Sequence, residues 1–93
     1  MSFIHSHALD GQVLVITGTL PVLRKEAIEW ILLAGGQYRD SVTTKTTILV
    51  QGTLCARNLD GLTRKLRRVR QLNERGANIM ILTPEQFFNL ITA

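Results

Sequence analysis

Every position from Val13 to Ile16 is apolar, and the run stops at a hydroxyl residue and a glycine, Thr17 and Gly18. A strand apolar at successive positions is buried on both faces, as parallel strands between helix layers are. The pattern predicts a strand over about Gln12–Thr17, preceded by an Asp10-Gly11 turn. Pro21 interrupts the next segment, which reads as a loop. Ala27, Ile28, Ile31 and Leu32 then recur at helical spacing, with Glu26 and Glu29 on the other side. They predict a helix over Arg24–Leu33, closed by Gly35-Gly36. Gln37–Arg39 and Thr47–Val50 read as short strands around the polar loop Ser41–Thr46. Gln51–Gly61 reads as a second loop, with Gly52 and Asn58 as breakers. Leu62, Leu66, Val69 and Leu72 form the stripe of a helix over about Arg64–Arg75, closed by Gly76. Asn78–Leu82 is a nearly wholly apolar strand. Thr83 as cap, Pro84 at the first helical position and Gln86 in a capping box start a last helix. Phe87, Phe88, Leu90 and Ile91 supply its buried side.

Strands and helices thus alternate, which predicts a mostly parallel sheet with helices on both faces. The 93 residues suffice for one small domain, expected over residues 9–93 with a short tail at 1–8. No stretch approaches the roughly 20 apolar residues of a membrane span. Met1–Ala8 lacks the basic start and apolar core of a signal peptide. The lone Cys55 cannot form an internal disulfide, and these features together predict an intracellular protein.

The net charge is +4, and seven of the eleven basic residues lie between Arg57 and Arg75, against two acids, Asp60 and Glu74. Such a cluster fits a polyanionic partner, nucleic acid first, or else a solvated helix face. On these boundaries Arg64 and Lys65 fall in the first turn of their helix, where the dipole already disfavours cations. An anion bound there would reverse that effect, because backbone N–H groups and the lysine would converge on one phosphate. The alternative is that both side chains bend into solvent. Thr17 and Gly18 complement such a site: a hydroxyl can donate to a phosphate oxygen, and glycine lets a backbone N–H approach unhindered. Many strands end in Thr-Gly for turn reasons alone.

The chain resembles a BRCT domain from Leu9 to about Thr92. The resemblance rests on Leu9-Asp-Gly-Gln-Val-Leu-Val-Ile-Thr-Gly-Thr-Leu20, Arg24-Lys-Glu-Ala-Ile28 and Ala34-Gly-Gly36. It continues through Ser41–Val50, the helix carrying Lys65, and Pro84-Glu-Gln-Phe-Phe88 after an apolar strand. It is similar to the bacterial type found in NAD-dependent DNA ligases and in exonuclease or polymerase III epsilon-like proteins, and to that of the replication factor C large subunit. The resemblance implies a three-layer α/β/α fold with a four-stranded parallel sheet in the order 2-1-3-4. It also implies a phosphate pocket made by Thr17, Gly18 and Lys65, assisted by Arg24. The loop between Gly18 and Arg24 is one residue shorter than is common in ligase-type domains, which leaves Lys25 as an alternative. Phe87 or Phe88 stands where many eukaryotic members have tryptophan.

The expected function is a non-catalytic module that binds DNA at or near a 5′-phosphorylated end or nick in a replication or repair protein. Lys25, Lys45, Arg64 and Arg68 are candidate contacts to the DNA backbone, with Arg67 and Arg70 adding attraction. The alternative is a protein-interaction module, including a phosphopeptide reader. A bacterial, nucleoid-associated location follows from the resemblance. There is no clustered His, Asp and Ser set, no plausible carboxylate pair and no Walker loop, so no catalytic residue and no cofactor is expected. His5 and His7 make a poor metal site, and no metal is expected. Trp30 and Tyr38 read as packing residues rather than base-stacking platforms.

Overall fold

The structure, a computed structural model, describes residue 4 and residues 6–53 and 59–92. His5, Cys55, Arg57 and Asn58 lie outside the described residues. The elements are β1 (Val13–Thr17), α1 (Arg24–Leu33), β2 (Gln37–Tyr38), β3 (Ile48–Gln51), α2 (Leu59–Glu74), β4 (Met80–Leu82) and α3 (Pro84–Thr92). The four strands form one parallel sheet in the order β2-β1-β3-β4, as the resemblance implies.

Strand alternation sorts the core into two layers. Leu14, Ile16, Ile48 and Val50 pack with Ala27 and Ile31 of α1 and with Phe87 and Ile91 of α3. Val15 and Leu49, on the opposite face, pack against Val69 and Leu72 of α2. Leu9, fully buried, joins the first layer, and its N–H donates to the Ala34 carbonyl at 2.9 Å. Ile4 and Ala8, expected in a tail, pack partly buried against the same layer. The capping box of α3 forms as expected: Gln86 N–H donates to Thr83 Oγ1 at 3.2 Å and Thr83 N–H to Gln86 Oε1 at 3.0 Å.

Three expectations need correction. The first concerns α2, which starts at Leu59, five residues before the expected Arg64. Gly61 does not break it, since a glycine in a helix costs only about 1 kcal/mol against alanine. The second concerns the last strand, expected over Asn78–Leu82: β4 covers only Met80–Leu82. It is an edge strand with one neighbour, and Met80 and Ile81 are 51% and 41% exposed. Leu32 and Leu90, the third, are exposed as well: α1 and α3 each bury a narrower arc, centred on Ala27 and Ile31 in one and on Phe87 and Ile91 in the other.

Candidate functional site

The site begins with a ladder that stops early. Gln37 N–H donates to the Gln12 carbonyl and Arg39 N–H to the Leu14 carbonyl, both at 2.9 Å. Two residues further, the Ile16 carbonyl is next in line, but β2 has ended at Tyr38. Lys65 fills the position: its Nζ donates to the Ile16 carbonyl at 2.9 Å. A lysine from α2 thus replaces a missing strand donor. One ammonium N–H is used this way, and the group carries three.

The next peptide faces the same gap. The Thr17 carbonyl accepts from Gly52 N–H at 2.7 Å, on the β3 side. The peptide bond is planar and trans, so the Gly18 N–H points the opposite way, past the end of β2. Thr17 is 3% exposed and lies on the face of β1 that α2 covers, which is the face Lys65 comes from. Thr17, Gly18 and Lys65, far apart in sequence, therefore meet at one strand end.

Glycine is required at position 18 for two reasons. Its φ is +82°, which side-chain-bearing residues rarely adopt, and an added Cβ would lie 2.9 Å from the Thr53 carbonyl oxygen. The crowding arises because Thr19 and Thr53 exchange backbone hydrogen bonds of 3.1 and 2.8 Å just beyond the strands. That clasp fixes the loop above the gap.

Arg24, the first residue of α1, leans back over the loop, and its guanidinium donates to the Gly18 carbonyl at 3.1 Å. Leu23, the N-cap, gives α1 no side-chain cap, so the dipole at this terminus adds to the positive potential. Glu26 offsets part of it from the first turn. Burial pushes the Lys65 ammonium below the ordinary lysine pKa of 10.5; the charge of Arg24 pushes the same way, and the Asp40 carboxylate opposes both. Two cations held close together, with one of them partly desolvated, are stabilised by an anion between them.

Other candidates are placed differently. Lys25 is exposed on α1, while Arg24 makes the contact to Gly18, so the shorter loop does not hand the position to Lys25. Arg64 and Arg68 are exposed and share a flank of α2 with Lys65. Lys45 stands at the other end of β1, in the loop whose Thr47 N–H donates to the Val13 carbonyl, and is not brought to Lys65. The expected helix-terminus anion site at Arg64 and Lys65 is not formed, because Lys65 is the seventh residue of α2, about 9 Å from its start. Sequence reasoning missed Asp40; its place two residues beyond the end of β2 was the available signal.

Trp30 packs edge-on against Phe88 with ring centroids 5.3 Å apart, and Tyr38 packs on the α1 and α3 layer, in keeping with packing roles. His7 pairs with Asp10 through Nδ1 at 2.9 Å, and the described residues hold no group of three His, Cys, Asp or Glu able to bind a metal. No helix among the described residues is long and apolar enough to cross a membrane.

The family model for the BRCA1 C Terminus (BRCT) domain matches residues 5–91. The chain belongs to the BRCT family. BRCT domains are in general non-catalytic binding modules that mediate DNA or protein interactions. The BRCT chain is 46% identical over 48 residues to a DNA ligase of Chloroflexus aggregans, an alignment covering 50% of this chain and 7% of the ligase. It is 53% identical over 47 residues to a DNA ligase of Synechococcus sp. (strain RCC307), covering 50% and 7%. The matched region is thus less than a tenth of the length of these relatives. Among solved structures, it resembles the C-terminal BRCT domain of human XRCC1 with a TM-score of 0.64 at 9% identity, over 94% of this chain and 80% of that one. The second XRCC1 BRCT domain gives 0.58 at 10% identity, over 94% and 78%. These two likenesses establish the fold.

Proposed function

We propose that this BRCT domain binds DNA at or near a 5′-phosphorylated end or nick, holding the terminal phosphate in the gap past the end of β2. The observation that carries the reading is the convergence on that gap of the Gly18 N–H, the Lys65 ammonium and the Arg24 guanidinium, beside the Thr17 side chain. A phosphate there would gain charge-assisted hydrogen bonds from two cations and one fixed amide. The amide costs little to aim, because the Thr19–Thr53 clasp already holds it. Four exposed arginines on α2, Arg64, Arg67, Arg68 and Arg70, favour a nucleic acid as carrier of that phosphate, since sequence-independent attraction scales with the phosphates neutralised.

The similarity to bacterial DNA ligases supports placing the domain in a replication or repair protein working at the nucleoid, in the cytoplasm of a bacterium. Catalysis would reside in other domains of that parent. The test is fluorescence anisotropy with two duplexes that differ only in a 5′-phosphate or a 5′-hydroxyl. The phosphorylated duplex is expected to bind at least about tenfold tighter. Equal affinity discards end recognition, and a phosphopeptide that outcompetes both duplexes makes the partner a protein.

A further inference from the structure

A second basic recess lies along the same sheet edge. Tyr38 packs on the α1 and α3 layer, so alternation turns Gln37 and Arg39 to the α2 side. There a cavity of about 320 Å³ is lined by Val13, Gln37, Arg39, Thr43, Thr44 and Lys45. Its loop wall is held in place: Thr43 N–H donates to the buried Thr46 Oγ1 at 2.9 Å, and Lys45 N–H to Thr43 Oγ1 at 3.2 Å. Two hydroxyl residues and two cations around a preformed hollow suit an oxyanion.

The recess is aligned with the strand-end site. Lys65 caps the sheet at Ile16, and the Lys45 loop is tied to β1 at Val13. Three residues of strand separate those levels, about 10 Å. One strand of duplex DNA advances about 3.4 Å per nucleotide along the helix axis, so about three nucleotides span the interval. The α2 flank that carries Arg64, Lys65 and Arg68 faces this edge, since Lys65 crosses to it. Asp40 is the acid that faces Lys65 between the two sites.

The geometry points to a second phosphate subsite: Arg39 and Lys45 hold the backbone phosphate about three nucleotides in from the 5′ end of the strand whose terminal phosphate sits at Lys65. This deepens the DNA-end reading and rests on it. It gives the bound strand a direction, with the 5′ end at Gly18 and the chain running down the β2 edge. Arg39 joins the DNA-contacting residues, and Lys45 takes a place separate from the terminal pocket.

The experiment compares a 5′-phosphorylated dinucleotide with a 5′-phosphorylated duplex of about one helical turn, using the whole chain and the variants Lys45→Glu, Arg39→Ala and Lys65→Ala. Lys45→Glu is expected to weaken duplex binding about tenfold and to lower its salt slope by about one, with dinucleotide binding unchanged. Arg39→Ala does the same more mildly. Lys65→Ala weakens both ligands. Unchanged duplex affinity in Lys45→Glu and Arg39→Ala, alongside a loss in Lys65→Ala, overturns the second subsite and leaves the first. Indifference of the unmodified chain to the 5′-phosphate overturns the underlying reading instead. Both probed side chains are exposed, and a thermal melt of each variant, expected to coincide with that of the unmodified chain, checks that it folds.

Discussion

The two edges of the sheet are finished in opposite ways. At the β4 edge the strand itself is Met80, Ile81 and Leu82, its side chains half in solvent, with no charged group in the strand. At the other edge β2 is two residues long, and the chain turns away through Arg39 and Asp40. The early stop leaves the Ile16 carbonyl and the Gly18 N–H facing a gap, and a lysine and an arginine reach it from two different helices. Proteins often protect sheet edges with lysine on the edge strand. Here the lysine comes from α2, so it closes the ladder and leaves charge beside it. A strand that ends one ladder step early leaves backbone polar groups facing a gap, and cations placed there concentrate positive charge at that edge.

The contrast is broken most severely by Gly18→Val. A β-branched residue at φ +82°, with its Cβ 2.9 Å from the Thr53 oxygen, is expected to cost about 3 kcal/mol or more in urea unfolding and to abolish phosphate binding. Next comes Lys65→Ala. Binding of a phosphorylated end should fall by about ten- to a hundredfold in anisotropy. The lost partner of the Ile16 carbonyl should lower stability by about 1 kcal/mol in the same urea experiment. Alkaline titration sharpens the same point. The folded pKa of Lys65 lies below the unfolded value, so the unfolded chain keeps the proton longer and folding stability rises with pH between the two. Phosphate affinity moves the other way: it falls as this ammonium deprotonates, in a range that begins below the ordinary lysine value of 10.5. Lys65→Arg should move that fall to higher pH. The smallest effect belongs to the other edge. Ile81→Lys adds a cation to β4 and should leave phosphate affinity within about twofold, with a stability change of about 1 kcal/mol at most.

The fold was legible because each buried strand and helix carries its own period. Val13–Ile16 announced a doubly buried strand, and Thr83 with Gln86 announced the start of α3. The start of α2 was not legible: Gly52 and Asn58 carried the loop reading as far as Gly61, and Asp60, an acid suited to a first turn, fell inside it. That misreading also moved Lys65 to a helix terminus it does not occupy. Thr17, Gly18 and Lys65 could be picked out as residue types, and the resemblance added Arg24. Their meeting place could not be read from the chain. It depends on β2 stopping at Tyr38 and on a 49-residue separation closed by one lysine. The exposure of β4 was hidden for a similar reason, since an apolar strand reads alike at the centre and at the edge of a sheet.

The most direct measurement is the amide proton of Gly18, followed by NMR while a 5′-phosphorylated dinucleotide is added, with the 5′-hydroxyl dinucleotide as control. A hydrogen bond to a phosphate oxygen should move that resonance downfield, alone among the glycines, with the phosphorylated ligand and in step with its anisotropy-derived affinity. A Gly18 amide that stays still while the ligand binds, or that shifts equally with both dinucleotides, contradicts a phosphate held in the gap at the end of β2.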